Sequence, residues 1–128
     1  MLADAEAFSG FAVDDIEKAR EFYGEKLGLR TTVLDAENGL LNLNLAGGRD
    51  TLLYLSPDFT PASYTMLNFK VDDIDATVDE LARRGVSFER YDEFPQDEKG
   101  VMREDDEVPM IAWFKDPAGN ILSVLQER

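Results

Sequence analysis

Apolar and polar positions alternate in short runs along this chain, and two longer stretches switch to helical spacing. Residues 8–13 alternate and predict a strand. Ile16, Ala19, Tyr23 and Leu27 then fall on one helical stripe, with Glu17, Lys18, Glu21 and Glu25 on the opposite face. Asp14 is the expected N-cap, with Glu17 as its capping-box partner, and Gly28 is the expected helix stop. Residues 31–34 are β-branched and strand-like, Asn38-Gly39 signals a hairpin, and Leu41, Leu43 and Leu45 alternate with Asn42 and Asn44. Gly47-Gly48 turns the chain into a strand over 51–55. The predicted order is strand, helix, strand, strand, strand.

The same order is then written again. Val13-Asp14-Asp15-Ile16 returns as Val71-Asp72-Asp73-Ile74. Residues 64–71 predict a strand. Asp72 or Asp73 caps a helix with the stripe Ile74, Val78 and Leu81, and Arg83-Arg84-Gly85 closes it. Residues 86–91, 110–114 and 121–125 predict three more strands, the last two joined by the turn Asp116-Pro117-Ala118-Gly119-Asn120. The chain thus divides into a module over 7–56, a linker over 57–63 and a module over 64–126, within one domain of 1–128. The aperiodic, acid-rich segment 92–107 predicts a mobile loop inside the second module.

Composition narrows the chemistry. The chain has no Cys and no His, so disulfides, thiolate nucleophiles and Ser-His-Asp or Cys-His systems are excluded. A net charge of -14 argues against nucleic acid and anionic membranes, whose phosphates need a Lys/Arg surface. It reads either as a solubility device or as attraction of a cationic ligand. The acidic N-terminus lacks the apolar core of a secretory signal and no run is long enough to span a bilayer, so a cytoplasmic location is expected. Gly47-Gly48 lacks phosphate-loop spacing and is a turn. Glu104-Asp105-Asp106-Glu107 lacks the spaced ligands and central Gly of an EF-hand and is expected to be a solvated loop.

Three stretches carry a resemblance. They are residues 11–23 with Leu27-Gly28-Leu29, then Asn68-Phe69-Lys70-Val71-Asp72-Asp73-Ile74, then Phe114-Lys115-Asp116-Pro117-Ala118-Gly119-Asn120. In this order they resemble the vicinal oxygen chelate superfamily of glyoxalases, extradiol dioxygenases, fosfomycin-inactivating transferases and bleomycin-resistance proteins. The resemblance implies an α+β fold of two βαβββ modules forming a cupped mixed sheet around a ligand trough, and a homodimer joined side by side or by exchange of half-units. It also implies metal ligands at positions held here by Phe8, Met66, Ser123 and either Leu53 or Tyr54. Phe and Leu cannot coordinate a metal, Met prefers soft ions, and neutral Ser and Tyr are poor ligands for hard divalent ions. No cofactor is therefore expected.

Alternation places Phe8, Tyr54, Met66, Asn68, Trp113, Ile121 and Ser123 on the trough side, an apolar set with two hydrogen-bonding groups. Each also has a plainer role. Phe8 and Met66 can simply fill the trough, Asn68 can serve a neighbouring backbone group, Trp113 can be core or dimer interface, and Ser123 can be a small neutral replacement. The first functional expectation is a metal-independent protein that holds an apolar or aromatic small molecule in the trough; the charge adds a cationic ligand as a second option for the partner. The alternatives are a lyase or dioxygenase whose ligands have moved to Glu89, Glu93 or the acids of 92–107, and an interaction or regulatory module without a ligand.

Overall fold

The computed structural model describes residues 1–103 and 109–128. The chain folds as two compact units, Met1–Thr60 and Pro61–Arg128. No helix among the described residues is long and apolar enough to cross a membrane.

The first unit contains β1 (Ser9–Val13), α1 (Ile16–Arg20), β2 (Arg30–Asp35), β3 (Leu40–Leu45) and β4 (Arg49–Leu55). Its sheet has the order β1-β4-β3-β2, with β1 parallel to β4 and the other pairs antiparallel. Phe11, Val13, Leu41, Leu43 and Leu53 form the buried face, Phe11 and Val13 as alternation predicts, and meet Ala19, Phe22 and Tyr23 from the helix. Asp15, not Asp14, caps α1: its carboxylate accepts from the Lys18 amide at 3.0 Å. Glu17 is turned away from a capping box and pairs with Arg20 at 2.5 Å. Beyond Arg20 the helix widens into a π-helical turn over Glu21–Lys26. Phe22 and Tyr23, three and four residues beyond the buried Ala19, both reach the core. Their rings meet edge to face at 5.2 Å. Gly39 closes the predicted hairpin at φ 68, and a Cβ there would lie 2.5 Å from the Leu55 Cβ.

The second unit contains β5 (Thr65–Lys70), α2 (Ile74–Arg83), β6 (Met110–Lys115) and β7 (Ile121–Gln126). Its sheet has the order β5-β7-β6, with β5 parallel to β7 and β6 antiparallel to β7. Asp73 caps α2, accepting from the Ala76 amide at 3.1 Å, and Ile74, Val78 and Leu81 are buried as the stripe predicts. They cover Ala112, Phe114, Leu122 and Val124 on one face of the sheet. The β6–β7 turn is tied by Asp116 Oδ1, which accepts from the Ala118 and Asn120 amides at 2.9 and 2.8 Å.

Residues 86–91 do not form the predicted strand. They touch β6 through one bridge, Phe88 to Phe114, and through the Glu89 amide to the Trp113 carbonyl at 2.8 Å. Beyond that the Gln96 side chain stands in for a neighbouring strand. Its Oε1 accepts from the Tyr91 amide at 2.8 Å and its Nε2 donates to the Glu89 carbonyl at 2.9 Å. The following segment to Arg103 is also more ordered than its acid-rich composition predicts. Asp97 accepts from the Lys99 and Val101 amides, both at 2.9 Å, and from Arg103 Nε at 3.0 Å. Val101 is fully buried. Arg103 reaches on to Asp75 of α2 at 2.8 Å. The acidic run 104–107 lies outside the described residues.

Candidate functional site

In each unit one sheet face carries the helix and the other is open. On the open face of the first unit the register sets Gly10 and Asn42 beside Leu52, and Ala12 and Leu40 beside Tyr54. A cavity of about 600 Å³ opens there, bounded by Glu6, Phe8, Leu34, Asn42, Asp50 and Leu52. Phe8 is 70% exposed in it. Tyr54 shares the face at 43% exposure, one residue pair beyond the cavity lining. The polar groups of this face satisfy one another: Asn42 Nδ2 donates to Asn44 Oδ1, and Asn44 Nδ2 donates to Thr32 Oγ1 at 2.9 Å.

The open face of the second unit differs in chemistry. Strand register aligns Asn68, Ser123 and Trp113 in one cross-strand row, with Ile121 next along β7. Ser123 is fully buried and donates its hydroxyl proton to Asn68 Oδ1 at 2.5 Å. Met66 sits where the β5–β7 register shifts, so it has no pairing partner across the sheet. Trp113, expected to line an open trough, is only 8% exposed because two rings lie against it. Phe94 stacks on it with centroids 5.1 Å apart and planes 19° apart. Tyr91 meets it edge-on at 5.5 Å and meets Phe94 edge-on at 6.2 Å. Phe94 is itself 41% exposed. Tyr64, Glu93 and Ile121, with Ser63 and Thr65, complete the wall of a cavity of about 490 Å³.

The sequence reading identified Trp113 and Ile121 in this wall but missed Tyr91, Phe94 and Tyr64. A signal was present: Tyr91 and Phe94 are the two aromatics flanking Asp92-Glu93 in an otherwise polar stretch. Tyr91 Oη is buried without a hydrogen-bond partner among the described residues. Burial raises its pKa above the ordinary phenol value; Glu89 and Glu93 add to the rise and Lys115 opposes it. Lys115 is 3.4 Å from Glu89, so these two charges largely cancel. Glu93 is the charged side chain left in the wall.

The metal positions implied by the resemblance can now be tested. The 58-residue repeat sets Gly10 on Asn68, and the parallel pairs Gly10–Leu52 and Asn68–Ser123 therefore set Leu52 on Ser123. By this register the residue equivalent to Ser123 is Leu52, and Leu53 is buried on the helix side. Phe8, Leu52, Met66 and Ser123 offer two hydrocarbons, one thioether and one hydroxyl already committed to Asn68. This donor set does not fit a hard divalent cation. Among the described residues no three His, Cys, Asp or Glu side chains cluster as a metal site.

An open sheet face backed by a helix, built twice from one repeated pattern, defines the class. The model of the Glyoxalase/Bleomycin resistance protein/Dioxygenase superfamily matches residues 8–124, and the chain belongs to that superfamily. Its relatives include the uncharacterized protein YraH of Bacillus subtilis (strain 168), 30% identical, with 88% of this chain and 90% of YraH aligned. Among solved structures, TnmS3, an antibiotic binding protein from Streptomyces sp. CB03234, is 26% identical with a TM-score of 0.68, covering 98% of both chains. A superfamily member from Sphaerobacter thermophilus DSM 20745 shares the fold, with a TM-score of 0.71 at 22% identity, covering 96% of this chain and 98% of its own.

Proposed function

We propose that this protein binds a small molecule without a metal, holding an aromatic ligand against the open face of the second unit. The observation that carries the reading is the wall of Tyr91, Phe94 and Trp113 around a cavity of about 490 Å³. Its size suits a compact ring system, and its apolar lining with few polar groups suits binding more than catalysis. Kinship with TnmS3, an antibiotic binding protein, supports the same direction. The poor donor set at Phe8, Leu52, Met66 and Ser123 supports metal independence.

A flat ligand burying roughly 250 Å² of ring surface gains about 6 kcal/mol before association costs. Small probes should therefore bind no tighter than tens of micromolar. Trp113 is the only Trp in the chain and lies in the wall, so its fluorescence reports occupancy. Saturable quenching by naphthalene, unchanged by EDTA, is the expected result. Binding abolished by EDTA and restored by Mn, Fe, Ni or Zn would replace this reading with that of a metal-dependent enzyme. No saturable response from any aromatic probe would leave the reading without support.

A further inference from the structure

We infer that the second-unit cavity selects a flat organic cation, an aromatic ring bearing a quaternary or protonated amine, over neutral and anionic rings of the same shape. The inference rests on the binding function proposed above and names its ligand class. Three features of the wall point the same way. An aromatic ring face is the negative side of a quadrupole, and Phe94, 41% exposed in the cavity wall, is held in place by stacking on Trp113 at 5.1 Å. Tyr91 is nearly perpendicular to both rings, at 83° to Trp113 and 87° to Phe94, so the three aromatics form one packed cluster in the wall. The charge in the lining is the Glu93 carboxylate, while the nearby Lys115 is neutralised by Glu89.

The long-range field acts with the local one. A net charge of -14 concentrates cations at the surface and repels anions. A neutral ring keeps the stacking and loses both electrostatic contributions. A ring carrying a sulfonate keeps the stacking and meets Glu93 with like charge. Glu93 is exposed, so its attraction is screened by salt, whereas the contact with the Phe94 face is not.

The test compares three probes of one shape by Trp113 fluorescence and titration calorimetry: trimethylphenylammonium, tert-butylbenzene and benzenesulfonate. In 50 mM NaCl the cation should bind about ten-fold tighter than tert-butylbenzene, and benzenesulfonate weakest. Glu93→Gln should shrink the cation's advantage to about three-fold, with an unchanged circular dichroism spectrum because Glu93 is exposed. Phe94→Leu keeps an apolar wall but removes the π face, so it should weaken the cation several-fold more than tert-butylbenzene. Equal affinity for the cation and tert-butylbenzene would overturn the inference and leave the binding function standing. A cation preference undiminished in both variants would show that the selection lies outside this cavity and would overturn it too. Failure of all three probes on folded protein would remove the binding function and this inference together.

Discussion

Single side chains around Trp113 carry measurable free energies, and two of them predict changes of opposite sign. Tyr91 buries its hydroxyl without a partner among the described residues, and an unsatisfied buried donor costs about 1–3 kcal/mol. Tyr91→Phe removes that cost while keeping the edge-on contacts, so urea unfolding should show a gain of about 1 kcal/mol. The same substitution should alter the alkaline limb of stability. A phenol whose folded pKa is raised stabilises the fold below its unfolded value of about 10 and loses that contribution as pH rises beyond it. Tyr91→Phe should therefore lose less stability than the native chain between pH 9 and 11. Ser123 behaves in the opposite sense. Its hydroxyl is buried and bonded to Asn68, so Ser123→Ala should cost about 1 kcal/mol, limited by water reaching the exposed Asn68 amide. A cost near zero would mean that the short Ser123–Asn68 contact contributes nothing beyond packing.

The segment from Tyr91 to Arg103 decides whether the aromatic wall exists, and it was the part least legible in the sequence. Elements with a repeating signal were readable: the alternation of β1 and β3 matches the faces that are buried, and the α2 stripe of Ile74, Val78 and Leu81 is buried as spaced, whereas on β4 the pattern left Leu53 and Tyr54 undecided. Where adjacent residues compete for one role, local pattern could not choose. Asp14 and Asp15 both suit an N-cap, and the chain's entry angle gives the role to Asp15. The π-helical turn and the replacement of a strand edge by the Gln96 amide leave no periodicity to read. Order here comes from Asp97, which burial disfavours as an anion but which the Val101 and Lys99 amides and Arg103 pull below the usual carboxylate range. Arg103, through its hydrogen bonds, holds Asp75 low as well. Asp97→Ala should cost about 2 kcal/mol, because it frees two amides and one guanidinium in a partly buried site. It should also redshift Trp113 emission as Phe94 and Tyr91 loosen. Both carboxyls have depressed pKa values, so their contribution is complete above about pH 4 and is lost as pH falls through the lower folded values. Stability should be level from pH 7 to 5 with respect to this clasp and fall below pH 4, with a shallower acid slope in Asp97→Asn.

At the scale of the molecule the governing quantity is charge: 27 acidic against 13 basic residues leave -14. Two unit charges 10 Å apart in water repel by about 0.4 kcal/mol, and a surface with many such pairs accumulates several kcal/mol against the compact state. Ion pairs such as Arg83–Glu80 and Lys70–Glu127 oppose this, but they are exposed, and solvent and salt screen them. Self-repulsion outweighs them, so screening should stabilise the fold. Raising NaCl from 50 to 500 mM shortens the screening length to below about 8 Å and should raise the melting temperature by a few degrees. The same salt should weaken trimethylphenylammonium binding, because the attraction of Glu93 and of the net charge is screened over the same distance. Stability and cation affinity thus respond to one variable with opposite signs, whereas tert-butylbenzene binding should hold steady or strengthen. If melting temperature fell with salt, the ion pairs would outweigh the excess of acids. If cation affinity were indifferent to salt, contact with the aromatic rings would account for recognition without Glu93 or the net charge.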